Sequence, residues 1–393
     1  MNFQEGPVAD NGLLESPQRC PELLPPGWLV GGHLQTIVPA LFGGRLLGSP
    51  PAFARERWTT PDGDFIDLDW QRLPNQATQV PLVVRARQVP QGPLAALAPH
   101  APEPAPLLVL FHGLEGSSRS PYAQAFAQVA AARRWDYLVV HFRGCSGSLN
   151  RAPRAYHSGD SPELDWILRR LAGAPIGRSQ IMAVGISLGG NALMRWAGEQ
   201  GAALPQAHPA LRAVAAISSP LDLAAAGKAI DQGINRWLYA RHFLATMTAK
   251  AKAKHDQFPG LFAIDRVRRA KTLRDFDDAF TAPLHGYRDV DDYWKRASAK
   301  PVLDRVAIPA LLVNAQNDPF VPAESLPAKA AVGRQTTVWR PRLGGHVGFP
   351  GRGTGQAPED HPRIDLMTMP RAVGQWLSTY CDGLGCAAGA GEV

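Results

Sequence analysis

The sequence predicts an α/β domain built on a mainly parallel sheet, and three observations predict it. Short apolar runs recur along the chain, most are continuous rather than alternating, and helix-like segments separate them. The runs 106–113 (PLLVLFHG), 137–144 (YLVVHFRG), 181–187 (IMAVGIS), 211–219 (LRAVAAISS), 309–315 (PALLVNA) and 336–341 (TTVWRP) each fit one strand. Unbroken apolar character is expected of central strands covered on both faces. Residues 122–134, 162–171 and 188–199 read as helices between them. Strand, helix and strand repeated in this way give a parallel sheet with right-handed crossovers.

The other elements follow in chain order. Residues 54–73 read as a hairpin around Pro61-Asp62-Gly63, which has good turn chemistry. The stretch 73–106 is rich in Pro, Ala and Gln and reads as a surface loop flanking one more strand at 81–87. Between the runs ending near 219 and starting at 309 lies a long helical insertion. Ile230, Ile234, Trp237 and Leu238 fall at i, i+4, i+7 and i+8, on one apolar face. Two basic stretches follow, 250–254 and Arg266, Arg268, Arg269 and Lys271, and then the aromatic residues Phe276, Phe280, Tyr287, Tyr293 and Trp294. At this point in the order the insertion lies over the carboxyl ends of the strands and is expected to cover a site as a lid. The alternative is a set of extra helices on the sheet edge. As a lid it would turn Trp237 and Phe243 toward the pocket and Lys250, Lys252 and Lys254 toward anionic headgroups. The expected organisation is an N-terminal extension at 1–53, a first core part at 54–221, the insertion at 222–300, a second core part at 301–380 and a tail at 381–393.

Composition narrows the class. The chain has 393 residues, 45% hydrophobic and 19% charged, enough for a large core and incompatible with wholesale disorder. The net charge of +7 is spread along the chain without a nucleic-acid motif, so a basic surface is expected and no nucleic-acid partner. Contact with an anionic membrane surface stays open. The four cysteines, Cys20, Cys145, Cys381 and Cys386, make neither a disulfide framework nor a metal site. With no basic-then-apolar N-terminus and no run of about 18 apolar residues, the expectation is a cytoplasmic protein.

The stretch 184–190 (VGISLGG) carries the chemistry. It places Ser187 between a buried strand and a helix, the strand–turn–helix frame of a nucleophile elbow. Such an elbow forces the serine into an unfavourable backbone conformation and demands small neighbours, which Gly185 and Gly189 supply. A serine hydroxyl needs a base, and the base an orienting acid. In this architecture they follow in the order serine, acid, histidine. Asp318 lies just beyond the strand-like run in ALLVNAQNDPF, with Glu324 as the nearest competitor. His346 follows in RPRLGGHVGFP, where two glycines let the loop fold back; His361 lies in a polar, Pro-rich stretch and is expected to be exposed. Two oxyanion donors are expected, the amide of Leu188 and that of Leu114 in FHGLEGSS. In the latter loop His112 and Gly113 have a supporting role, and His112 is expected to brace the loop rather than act as a base.

The motifs GGHLQTIVPAL (31–41), FHGLEGSSRSPY (111–122), VVHFRGCSG (139–147), YHSG (156–159), GISLGGNAL (185–193) and GGHVGF (344–349) go further. Through them the chain resembles the YheT-like branch of the α/β-hydrolase superfamily, the AB hydrolase 4 family, over about residues 25–380. The resemblance implies an α/β-hydrolase fold and serine-dependent hydrolysis of carboxylic esters, with Ser187, Asp318 and His346 as triad and no metal or cofactor. It implies small-molecule substrates between short acyl esters and glycerolipids. Members often carry Asp where this chain has Asn317, which leaves the triad acid in place. The segment HLQT (33–36) either lines the site or fastens the N-terminal segment to the core, with fastening preferred, and Cys145 is expected to pack rather than react. An acyltransferase with the same triad and a non-catalytic ligand-binding protein remain as alternatives.

Overall fold

The structure is a computed structural model that describes residues 19–71, 104–353 and 364–381. Eight strands form one sheet: β1 (Phe53–Thr59), β2 (Phe65–Gln71), β3 (Leu107–Phe111), β4 (Asp136–His141), β5 (Ile181–Ile186), β6 (Leu211–Ile217), β7 (Ala310–Val313) and β8 (Thr336–Trp339). Their spatial order is β1-β2-β4-β3-β5-β6-β7-β8. The hairpin β1–β2 joins β4 antiparallel, and every pair from β4 to β8 is parallel. Gly63 closes the hairpin turn at a φ of 75°, a left-handed value that glycine takes without strain. The run 81–87 and His361 lie outside the described residues.

Every residue of β3 and β5 is buried, which is why these segments read as unbroken apolar runs. Alternate side chains go to opposite faces. Leu107, Val109 and Phe111 join one core with Leu164, Ile167 and Leu171 of α3 (Ser161–Ala172) and Leu193 and Trp196 of α4 (Leu188–Gln200). Leu108 and Leu110 join the other, with Phe126 of α2 (Pro121–Ala132) and Trp376 of α8 (Thr368–Ser378). Each fully buried Leu or Phe contributes about 1.5–3 kcal/mol of burial free energy, so the two layers hold the sheet from both sides. The chain leaves β3 through α2 on one face and returns from β4 to β5 through α3 on the other. The carboxyl ends of β3 and β5 therefore flank a crevice where strand order reverses, the place where α/β sheets form sites.

Three further elements frame that crevice. Helix α1 (Gly31–Leu46) lies against α2, with Gly43 close to Pro121. Between β6 and β7 the chain forms α5 (Leu223–Ile230), a π-helical turn at Arg236–Ala240, α6 (Arg241–Gln257) and α7 (Val290–Ala297), among shorter turns. This insertion has its own small cores. Phe276 and Phe280 pack with Leu244 and Val267, while Tyr293 and Trp294 pack with Leu223.

Candidate active site

Ser187 sits at the abrupt junction of β5 and α4, at φ 50° and ψ −116°. A non-glycine residue stays in that region only when its surroundings over-determine it. Here the Ser187 amide donates to the Ile217 carbonyl at 2.8 Å. The two flanking glycines supply the space. A Cβ on Gly185 would lie 2.5 Å from Gly190 Cα, and one on Gly189 would lie 2.4 Å from the Phe111 carbonyl oxygen. No side chain fits at either place, so the motif is a steric condition of the turn.

The loops after β7 and β8 bring two more groups to this turn. His346 Nε2 lies 3.0 Å from Ser187 Oγ, and its Nδ1 lies 2.8 Å from Asp318 Oδ2. The other Asp318 oxygen, Oδ1, accepts from the amides of Phe320 at 2.8 Å and Val321 at 3.2 Å. Asp318 is thus a buried carboxylate with both oxygens engaged. The ring of His346 rests against Phe320, with centroids 4.3 Å apart. Glu324, the competing acid, lies on an exposed 3₁₀ turn away from this line.

Leu188 and Leu114, whose amides are the two expected oxyanion donors, line the same cavity as Ser187. Leu188 is the first residue of α4, so its amide has no partner within the helix. Among the described residues neither this amide nor that of Leu114 meets a hydrogen-bond acceptor. The loop carrying Leu114 is held on both sides. The Gly113 amide donates to Tyr122 Oη at 3.1 Å and the Glu115 amide to Tyr156 Oη at 3.0 Å. His112 braces it from below: Nδ1 donates to the Gly113 carbonyl at 2.8 Å, and Nε2 accepts from the Phe142 amide at 3.1 Å. Burial pulls its pKa down to about 3, which keeps the ring neutral and fixed as a brace. Burial pushes the Cys145 thiol up to about 11, away from nucleophilic reactivity.

A family model for the alpha/beta hydrolase fold matches residues 106–351. Over 367 residues the chain is 35% identical to "Putative esterase YheT" of Escherichia coli (strain K12), covering 93% of this chain and 95% of that one. The chain belongs to the α/β-hydrolase family, in its YheT-like branch. It is also 29% identical over 306 residues to "Phospholipase ABHD3" of Mus musculus, with 76% of this chain and 67% of that one covered. With "Embryogenesis-associated protein EMB8" of Picea glauca it shares 28% identity over 301 residues, 75% of this chain and 60% of that one.

In this hydrolase the HLQT segment fastens the N-terminal segment to the core, the preferred expectation, and it does so through the loops that carry Asp318 and His346. Thr36 Oγ1 accepts from the His346 amide at 2.8 Å and donates to the Gly32 carbonyl at 2.7 Å. Gln35 Oε1 accepts from the Gly344 amide and from Asn317 Nδ2, both at 2.9 Å, while its Nε2 donates to the Leu29 carbonyl. Asn317 Oδ1 in turn accepts from the Gly345 amide at 3.1 Å. The amino end of α1 therefore ties the acid loop to the histidine loop. Gly345, at φ 60°, passes 2.8 Å from Gln35 at its would-be Cβ, so the approach is as close as backbones allow.

Ser187 and His346 open into one cavity of about 820 Å³, walled mainly by apolar side chains of α1, α2 and the insertion. Phe243 lines it, but Trp237 does not. Trp237 is 71% exposed on the outer side of the π-helical turn, and Tyr239 and Leu238 occupy the cavity side instead. The helix ends at Ile230 and restarts at Gly233 after an extended Gln232, so Ile230, Ile234 and Trp237 do not share one continuous helical face: Ile230 lines the cavity, whereas Ile234 is already exposed. The expected headgroup lysines differ as well. Lys254 is 1% exposed, and its Nζ donates to the carbonyls of Asn150 at 2.7 Å and Ala152 at 2.9 Å. Lys250 Nζ pairs with Glu115 Oε1 at 2.8 Å inside the cavity. Only Lys252 of the three is exposed. These two lysines fasten α6 to the core because a buried ammonium must find acceptors, and a loop carbonyl pair or a carboxylate supplies them.

Proposed function

We propose that this chain hydrolyses carboxylic esters of apolar acyl groups through an acyl-enzyme on Ser187. The observation that carries the reading is the unbroken hydrogen-bond line from Ser187 Oγ through His346 to Asp318, opening into an apolar cavity. His346 Nε2 takes the hydroxyl proton as Ser187 Oγ attacks the ester carbonyl carbon. Asp318 holds Nδ1–H and stabilises the imidazolium. The amides of Leu188 and Leu114 receive the negative oxygen, an effect worth about 10²–10³ in rate per donor. The imidazolium returns its proton to the leaving alkoxide, and the alcohol departs. Water, deprotonated by His346, then attacks the acyl-enzyme, and the imidazolium returns that proton to Ser187 Oγ as the acid leaves. None of these steps calls for a metal or cofactor.

The size and apolar lining of the cavity favour acyl chains longer than acetyl, and lipid esters are consistent with the phospholipase name of one relative. The test is turnover of p-nitrophenyl butyrate by wild type and Ser187→Ala. The variant should lose activity by a factor on the order of 10⁶ while keeping its circular dichroism. Activity within tenfold of wild type would remove Ser187 from the chemistry.

A further inference from the structure

Every large hydrophobic side chain that is exposed among the described residues belongs to 24–46 or 234–238. Two distant stretches of chain thus hold all the exposed large hydrophobic side chains among the described residues, and the fold brings parts of them together. His33 on α1 lies 3.1 Å from Tyr239 on the π-helical turn, and Ile37 shares a cluster with Tyr239 and Phe320. Leu41, 71% exposed, and Leu238, 43% exposed, both also line the cavity that holds Ser187. A side chain that faces both solvent and cavity stands at the mouth. Phe42 and Trp237, their chain neighbours, extend the same rim outward. The rim is therefore an apolar collar around the opening of an apolar cavity.

The two stretches carry charges of one sign. Residues 23–55 and 232–255 contain no Asp or Glu, whereas Arg45, Arg236 and Arg241 stand exposed among the apolar side chains. We propose that this collar is a docking surface for an anionic lipid bilayer, which places the mouth of the cavity against the membrane. Exposed aromatic and aliphatic groups would insert at the headgroup boundary while the arginines meet lipid phosphates, as in interfacial binding generally. No helix among the described residues is long and apolar enough to cross a membrane, and the contact proposed is with the bilayer surface. A second copy of the chain fits the collar less well. A two-fold interface places each patch against itself, so three arginines would face three arginines with no carboxylate between them, and the mouth would be closed.

Docking does not depend on the chemistry at Ser187, although its consequence, delivery of lipid esters to the site, rests on the esterase reading. The experiment is cosedimentation of the full chain with vesicles of phosphatidylcholine alone and with added phosphatidylglycerol. It is run for wild type, Phe42→Ser/Trp237→Ser and Arg45→Glu/Arg236→Glu, with p-nitrophenyl butyrate turnover and light scattering on each protein. Wild type should bind the anionic vesicles at least tenfold more tightly than the neutral ones, and 0.5 M NaCl should weaken that binding. Both double variants should bind at least tenfold more weakly, with butyrate turnover unchanged. Absence of wild-type binding to anionic vesicles overturns the proposal, as does a stable dimer that the Phe42→Ser/Trp237→Ser variant dissolves. Neither result would touch the esterase reading, which the butyrate assay follows separately.

Discussion

At Asp318 the two carboxylate oxygens have different duties, and this decides what a substitution does. Oδ2 faces His346 Nδ1 and Oδ1 accepts two backbone amides. An amide in its place must present NH₂ either to the imidazole N–H or to the Phe320 amide. Asp318→Asn should therefore lower kcat by roughly 10⁴, as loss of tautomer control does in the template triad, while Glu324→Gln leaves it within twofold. The reverse ranking in steady-state assays would reassign the acid. Thr36→Val tests the support of His346. It removes the acceptor for the His346 amide while keeping the side chain's size at the cavity wall, which Thr36 also lines. A fall of about 10–100-fold in kcat with little change in KM is expected, the scale of losses from displaced supporting groups. A change confined to KM would assign Thr36 to substrate binding. At this scale the meeting of Ser187, Asp318 and His346 was legible because each stands in a local pattern: an elbow, a strand end, a glycine-hinged loop. Fastening by HLQT was also expected, but the partners of Gln35 and Thr36 were not legible, since they lie about three hundred positions away and nothing in HLQT itself announces a carbonyl or amide to be met. The clue was a motif shared with the family that had no chemistry assigned to it.

Among the elements, the parallel strands were readable because burial on both faces leaves no polar alternation to misread. The insertion was readable as helical, but the direction of its apolar stripe was not. Periodicity locates an apolar face and does not say whether the core, a cavity or a collar receives it. Trp237 illustrates the difference, since the helix break after Ile230 ends the face on which it was placed and it stands exposed, while Phe243, on the next helix, lines the cavity. Two variants separate these positions. Phe243→Ala should shift the preference among p-nitrophenyl esters from acetate to decanoate by fivefold or more. Trp237→Ala should leave that series unchanged. Equal effects of both, read as kcat/KM across the series, would place the acyl chain elsewhere. The lysines of α6 carry the same lesson, because a basic run reads as a solvated face until the fold supplies buried acceptors for two of its members.

For the molecule as a whole, buried histidines make stability depend on pH. His157 is held by burial at a pKa of about 3, and its Nδ1 accepts from the Gly159 amide. His112 and His285 are depressed to about 3 for the same reason. A folded pKa below the unfolded value of about 6.5 means that the contribution is present above pH 6.5 and lost as pH falls toward 3. Asp277, raised by burial to about 6, titrates in the opposite sense over part of that range, so the effect is best read as a difference between two proteins. His157→Asn keeps an acceptor for Gly159 and removes one titration. Its stability deficit against wild type in urea should shrink by about 1.4 kcal/mol per pH unit below 6.5; a constant deficit from pH 7 to pH 5 would show that His157 charges freely in the folded state. The central claim, that this fold aims Ser187 as a nucleophile, is tested most directly by a fluorophosphonate probe and peptide mass spectrometry. Wild type should gain one adduct, on the peptide bearing Ser187, and His346→Ala should label at least a hundredfold more slowly. Folded wild-type protein that gains no adduct, or gains it on another residue, would contradict the account and leave a ligand-binding protein in its place.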